Sequence, residues 1–263
     1  NALIGRERPV LVHLVALKPI LLASLALWCR PRTRFVHALT GMGYLFASTD
    51  GLARRLQRVV RPVLRALLTR GNSHAIVQND ADLQLLVELG VPSTRASLIR
   101  GAGVDIAHYA PQPAPDGPPV VLLPARMLRD KGVAEFLAAA PLIRARHPLV
   151  RCVLAGGIDP DNPAAYGEDE LHAAARAAGV EWWRHCEDMR PIYAKATVVC
   201  LPSYREGLPK VLLEAAASAR ALVATDVPGC RDVCRPDLSG LLVPARDSEA
   251  LAAAVSRLLD DAP

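Results

Sequence analysis

The chain has 263 residues, of which 51% are hydrophobic, and it carries a formal net charge of +5. This length suits one large domain or two moderate ones, each with a sizeable apolar core. The six cysteines have no regular spacing, which argues against a zinc site and favours reduced thiols in the cytosol. The charge is uneven, because residues 1–110 hold 14 Lys or Arg against 6 Asp or Glu. This cationic half suits an anionic membrane surface or a diphosphate substrate, and nothing resembles the interleaved aromatic and basic residues of a nucleic-acid binder.

Apolar strand-like runs alternate with helical stretches along the chain, a pattern typical of a parallel α/β sheet. We assign residues 1–110 to a first domain. Its strands are predicted at Val10–Ala16, Arg34–Leu39, His74–Gln78 and Ala96–Ile99, and its helices near 19–29, 51–69 and 80–89. The apolar stretch Pro9–Trp28 is long enough to span a membrane, but a central lysine costs about 2.5–3.5 kcal/mol to insert and a proline interrupts a helix. We therefore predict a strand, a turn at Lys18-Pro19 and a helix to about Cys29.

A stripe of basic side chains runs along the predicted helix 51–69. Arg54, Arg58, Arg61 and Arg65 fall on one face, opposite Leu and Val. This face either meets solvent or docks on anionic lipid, and the sequence leaves both interpretations open.

A proline-rich segment separates the two halves of the chain. Residues 111–119 contain five prolines and one glycine, which predicts a linker. Residues 120–263 are assigned to a complete doubly wound domain. Its strands are predicted at Val120–Pro124, Arg151–Ala155, Val180–Trp183, Val198–Leu201, Leu222–Thr225 and Leu241–Val243, and its helices near 132–146, 168–178, 209–219 and 248–260.

Two cations follow the first strand of this second domain. Arg126 and Lys131 lie five residues apart in a loop that opens a helix at Gly132. Ligands of open α/β sheets bind at the carboxyl ends of strands, and an arginine fork with a lysine point charge suits a diphosphate. Alone, such a pair indicates no more than a solvated loop.

The segment Ser203–Ala217 follows the fourth strand of the second domain and contains Glu206 and Glu214. We expect Glu206 and Gly207 at a helix N-terminus, where the partial positive charge attracts anions. Eight residues of one helix rise about 12 Å, too far for a glycosidase carboxylate pair. The two acids would therefore bind different parts of one long ligand.

The Glu-x7-Glu spacing after a strand, with glycine beside the first acid, resembles the donor-sugar motif of glycosyltransferase family 4. Most of the chain shares the resemblance, including Asp226–Asp232 and Gly240–Pro244. It implies an α/β fold of the GT-B class, with two Rossmann-like doubly wound parallel-sheet domains, the first incomplete. It also implies transfer of a sugar, with retention, from a nucleotide-diphosphate donor (UDP-linked in our expectation) to a glycan or polyprenyl-diphosphate-linked acceptor. No metal or other cofactor is expected, and neither is nucleic acid.

The resemblance also assigns roles to single residues. Arg126 and Lys131 would neutralise the leaving diphosphate, Glu206 would meet donor-sugar hydroxyls and Glu214 the ribose. A strand-end histidine would lie under the reacting carbon. His13 is the candidate, and His37 is second. Backbone groups near the sugar and phosphate would come from the motif and from the turn after the second strand; these residues are Gly207, Leu208, Pro209 and Gly156.

Other features leave alternatives open. The Phe35–Phe46 segment, with its glycine pair, resembles bacterial enzymes that extend lipid-linked or capsular oligosaccharides. Asp159-Pro-Asp161 resembles a metal motif of another glycosyltransferase fold, but a solvated loop is favoured. Family members begin with a glycine-rich loop and finish with a long helix that this sequence lacks, so we expect a fragment. A non-catalytic nucleotide-sugar-binding module and a GT-B epimerase remain alternatives. The expected location is cytoplasmic, at the inner face of the plasma membrane if the arginine stripe docks there.

Overall fold

The computed structural model describes residues 2–29, 32–40, 51–236 and 238–261. The chain divides into two compact units, Asn1–Ala102 and Gly103–Pro263. Each unit is built on its own sheet of parallel strands. The predicted α/β class is therefore confirmed.

The first unit has a four-stranded sheet in the order β1-β2-β3-β4. Leu, Val and Ala fill its core because the strand runs are apolar and their helices bury one face. The described strands are β1 (Leu11–Val15), β2 (Arg34–Leu39), β3 (Ser73–Val77) and β4 (Ala96–Leu98), and the helices are α1 (Ala2–Glu7), α2 (Leu17–Ala26), α3 (Gly51–Leu68) and α4 (Asp80–Glu88), with a 3₁₀ turn at Ser93–Arg95.

The turn predicted at Lys18-Pro19 is wrong. Helix α2 begins at Leu17 and runs through both residues. Pro19 is tolerated because it lies in the first turn, where its missing N–H would have no partner inside the helix. Within the described ranges, no helix combines the length and apolarity needed to cross a bilayer.

Helix α3 is amphipathic, as the arginine stripe predicts. Leu64, Leu67 and Leu68 are buried against the sheet. Arg54 and Arg58 are exposed.

The second unit has a six-stranded sheet in the order β10-β9-β8-β5-β6-β7. The strand order reverses between β5 and β8, so the loops after these two strands flank the topological switch point at which open α/β sheets bind ligands. The strands are β5 (Val120–Pro124), β6 (Arg151–Ala155), β7 (Glu181–Trp183), β8 (Val198–Leu201), β9 (Ala221–Thr225) and β10 (Gly240–Val243).

Helices cover both faces of this sheet, which makes the unit doubly wound. They are α5 (Val133–Arg146), α6 (Glu168–Ala178), α7 (Arg190–Lys195), α8 (Lys210–Ala217), α9 (Pro228–Arg231) and α10 (Ser248–Asp260), with a 3₁₀ turn at Arg129–Lys131. Side chains of α5, α6 and α10 share one apolar layer. Those of α7, α8 and α9 share the other.

The proline-rich segment is fastened to the second unit by a buried arginine. The Arg220 side chain donates hydrogen bonds to the carbonyls of Gln112, Pro113, Ala196 and Ser218. Burial lowers the pKa of Arg220, and the four carbonyls accept the hydrogen bonds that its buried guanidinium can no longer donate to water.

Candidate functional site

The loops after β5 and β8 meet at the switch point. The amide of Tyr204 donates to the Asp130 carbonyl over 2.9 Å. Next to it, Gly132 has φ +73° and lies so close to Pro202 that an added Cβ would overlap the Pro202 carbonyl oxygen. Glycine is therefore required at position 132 both for its backbone conformation and for this approach. These contacts fix the two loops side by side.

Lys131 and Glu206 form an ion pair across these loops. Lys131 Nζ lies 2.6 Å from Glu206 Oε1, and the two side chains are 20% and 12% exposed. The pair joins residues 75 positions apart in the sequence, so the predicted convergence of Lys131 with the Glu-x7-Glu segment is what the structure shows. A half-buried cation and a carboxylate that accepts hydrogen bonds can respectively hold a phosphate and a hydroxyl-rich group.

Arg126 follows the same strand but has a different partner. Its guanidinium lies 2.5 Å from Asp159 Oδ2, in the loop after β6, and its side chain is 60% exposed. The sequence interpretation of Asp159 as a solvated loop residue missed this contact. The available signal was position, since Asp159 follows the strand that pairs with β5.

Glu206 lies just before the motif helix, as expected, and the assumption that both acids share one helix is wrong. Helix α8 begins at Lys210, so only Glu214 is helical and the 12 Å rise does not apply to the pair. Leu208 precedes a proline, and this disfavours helical backbone there. Pro209 is the residue before the helix, and its carbonyl accepts from the amides of Leu212 and Leu213.

Glu214 points into the sheet-facing side of α8. Its side chain is 7% exposed, and Lys210 Nζ lies 3.2 Å from its Oε1. The Tyr193 hydroxyl donates to its Oε2 over 3.0 Å. The sequence did not indicate Tyr193, because α7 is too short to give a helical pattern.

Two glycines allow the loops around the site to approach each other closely. An added Cβ at Gly229, in the Asp226–Asp232 segment, would overlap the carbonyl oxygen of Gly207. At Gly156, with φ +148°, it would overlap the Ala125 carbonyl oxygen. The close approach to Ala125 brings the turns after β5 and β6 together, and the Gly156 amide donates to the Arg184 carbonyl, just after β7, over 2.9 Å.

The two candidate histidines lie within strands of the first unit. His13 is the third of the five residues of β1 and is exposed, so it does not lie at the strand end as predicted. His37 is fully buried in β2, where its Nε2 lies 3.3 Å from Ser73 Oγ and burial lowers its pKa to about 4. The glycine pair at 41–43 lies outside the described residues.

The fold and the site define a doubly wound α/β protein whose switch point carries an ion pair and a buried acid. A family model described as "Glycosyl transferases group 1" matches residues 118–261. The chain belongs to this glycosyltransferase family. That membership confirms the resemblance drawn from Glu206 and Glu214.

Curated relatives extend the match over most of the chain. An N,N'-diacetylbacillosaminyl-diphospho-undecaprenol alpha-1,3-N-acetylgalactosaminyltransferase from Campylobacter jejuni is 26% identical over 249 residues, which are 90% of this chain and 64% of the relative. An alpha-maltose-1-phosphate synthase from Mycolicibacterium smegmatis is 37% identical over 191 residues, covering 64% of this chain and 48% of the relative. The chain thus spans less than two thirds of the length of either relative.

Solved structures share the fold. Sucrose-phosphate synthase from Thermosynechococcus elongatus superposes with a TM-score of 0.83 at 24% identity, covering 99% of this chain and 67% of that one. The Anabaena protein HepE in complex with UDP and glucose gives a TM-score of 0.79 at 20% identity, covering 99% of this chain and 71% of that one. The predicted GT-B fold class is therefore confirmed.

Proposed function

We propose that this chain is the larger part of a glycosyltransferase that moves a sugar, with retention, from a nucleotide-diphosphate donor to a hydroxyl of a glycan or lipid-linked acceptor. The observation that carries the proposal is the Lys131–Glu206 pair at the switch point, formed by two loops of a family-matching domain. Relatives named for sugar transfer and a neighbour bound to UDP and glucose support a UDP-linked donor.

The proposed chemistry is electrostatic. Lys131 stabilises the negative charge that develops on the leaving diphosphate, and such stabilisation is commonly the largest catalytic contribution. Arg126 adds a second cation from the same loop once a phosphate replaces Asp159 as its partner. Glu206 accepts hydrogen bonds from donor-sugar hydroxyls, and Glu214 accepts from the ribose. The donor needs no metal or other cofactor in this scheme.

Calorimetric titration of UDP into the chain tests the donor site, and mass spectrometry of mixtures with UDP-sugars and diphosphate-linked acceptors tests transfer. We expect UDP binding that Lys131→Ala weakens and Lys195→Ala, an exposed lysine of the same unit, leaves unchanged. Absence of UDP binding would refute the donor assignment. Binding without any transfer would instead support a non-catalytic module.

We further propose that the exposed arginine face of α3 rests on an anionic membrane surface at the cytoplasmic side. Arg54 and Arg58 are exposed on this face, so positive charge is available to an anionic surface. Each arginine near such a surface contributes about 1 kcal/mol. Arg54→Glu with Arg58→Glu should abolish flotation with phosphatidylserine vesicles, whereas Arg176→Glu on α6 should not. Equal flotation of both variants would exclude this face.

A further inference from the structure

Glu214 is held by a tyrosine inside an apolar layer. Tyr193 has no exposed surface, and its hydroxyl lies 3.0 Å from Glu214 Oε2 and 3.2 Å from the Val211 carbonyl. A phenol has one proton to donate, and a charged acceptor forms the stronger hydrogen bond. The carboxylate is therefore the main partner of this hydroxyl.

A second tyrosine, from a distant part of the sequence, packs against the first. Tyr109 lies edge-on to Tyr193, with ring centroids 6.0 Å apart and planes at 68°. Burial and the charge of Glu214 raise the pKa of Tyr109 and of Tyr193. Both phenols therefore keep their protons, and the Tyr193 hydroxyl donates its proton to Glu214.

The other side of the carboxylate faces a more exposed group. Lys210 is 68% exposed, and its ammonium lies 3.2 Å from Glu214 Oε1. Such an exposed helix pair contributes only about 0.3–0.5 kcal/mol, so an incoming hydroxyl can replace it at low cost. Tyr193 holds Oε2 from within the layer, so Oε1, beside Lys210, is the oxygen left for a ligand.

We propose that Tyr193, packed against the ring of Tyr109, is a positioning residue that fixes the Glu214 carboxylate in the orientation in which it accepts a hydrogen bond from a ribose hydroxyl of the nucleotide. The inference rests on the proposed function, because it assumes a nucleotide donor. A glutamate side chain has three rotatable bonds, and a phenol donor held in a packed layer restricts that freedom before the ligand arrives. The ligand then does not have to supply this ordering.

The test compares the affinity of each variant for UDP and for 2′-deoxy-UDP, which lacks one ribose hydroxyl. The parent chain should prefer UDP by roughly 10-fold or more, the range expected for a hydrogen bond to a charged group. Tyr193→Phe should reduce this preference to about 3-fold or less while leaving the affinity for 2′-deoxy-UDP within about 2-fold. Tyr166→Phe is the matched control, since Tyr166 is a buried tyrosine of the opposite apolar layer. It should keep the parental preference.

The outcomes separate the positioning role from the proposed function. Failure of the parent chain to bind UDP refutes the proposed function and the inference with it. A parent chain that binds UDP and 2′-deoxy-UDP equally, or a phenylalanine variant that weakens both equally, refutes the positioning role alone. The phenylalanine keeps the ring in the layer, and thermal unfolding by circular dichroism checks that each variant folds.

A double substitution gives an independent check. Glu214→Gln should remove the preference for UDP, and adding Tyr193→Phe to it should change that preference no further, because the tyrosine acts through the carboxylate. A further change in the double variant would show that Tyr193 acts elsewhere, and this would overturn the inference.

Discussion

Replacement of Lys131 by methionine should separate stability from ligand binding. The substitution keeps the apolar stem and leaves Glu206, whose side chain is 12% exposed, without its cation. Removal of one partner from a fully buried pair costs about 3–5 kcal/mol, and an exposed pair is worth about 0–1 kcal/mol. The exposures of this pair place the loss between these limits, at about 1–3 kcal/mol. For a chain of this size, this corresponds to roughly 3–10 °C in Tm.

The double variant Lys131→Met with Glu206→Gln distinguishes the two roles of the lysine. It has no stranded charge, so its free energy of unfolding should return to within about 1 kcal/mol of the parent value. The affinity for UDP should stay about 10- to 100-fold weaker in both variants, because the phosphate has lost a charged donor. Urea unfolding followed by circular dichroism and calorimetric titration of UDP measure the two quantities.

Either of two results would refute this reasoning. Parental UDP affinity in both variants would remove Lys131 from the phosphate site. A double variant as unstable as the single one would show that the loss comes from packing and not from the removal of the lysine charge beside Glu206. Lys195→Met is the control for the loss of one positive charge from the unit, and it should change neither quantity.

The remaining predictions concern pH, backbone geometry and thiols. Burial lowers the pKa of His37 to about 4, so between pH 6.5 and 4 the imidazole is protonated in the unfolded chain and neutral in the folded chain. The free energy of unfolding should therefore be highest above pH 6.5 and fall by up to about 3 kcal/mol as the pH drops to 4. His37→Phe should flatten that decline in urea titrations. Gly132→Ala should cost about 1–3 kcal/mol and weaken UDP binding, because alanine at φ +73° is strained and its Cβ overlaps a neighbouring carbonyl. In the native chain only Cys29 and Cys186 should react rapidly with a disulfide reagent, since the other four thiols are buried, and all six should react after denaturation.

Each of these has its own control. An unchanged pH slope in His37→Phe would assign the decline to other groups. Gly103→Ala matches Gly132→Ala, since Gly103 has φ +72° and no atom of the described residues lies within 4 Å of an added Cβ there; equal losses in the two variants would contradict the role of the close approach. Rapid reaction of more than two native thiols would show that the second unit opens in solution.

The strand positions were largely predictable from sequence, and the side-chain pairing was not. Runs such as Val120–Pro124 are apolar at every position, as strands covered on both faces require, and the structure places strands within a residue or two of those predicted. Helices α7 and α9 were missed, because four to six residues are too few for a helical period to appear.

Within the site, the sequence was enough to predict that the loops of Lys131 and Glu206 meet, but not which carboxylate pairs with each cation. The rule that ligands bind at strand ends brings Lys131 and Glu206 to one edge. Arg126 pairs with Asp159 because the loops after β5 and β6 lie side by side. That arrangement depends on the close approach of Gly156 to Ala125, which the sequence does not reveal. The helix start was predictable, because a proline at 209 disfavours helical backbone at Leu208; the helix expected near 209–219 begins at Lys210.

The hydrogen bonds of the buried Arg220 side chain determine where the second unit can be truncated for separate study. A fragment that starts at Val120, the boundary suggested by the prolines, would leave the buried guanidinium without the carbonyls of Gln112 and Pro113. It would also remove Tyr109 from the neighbourhood of Glu214. The truncated fragment should therefore begin at Gly103, so that the proline-rich segment 111–119 stays part of the folded second unit.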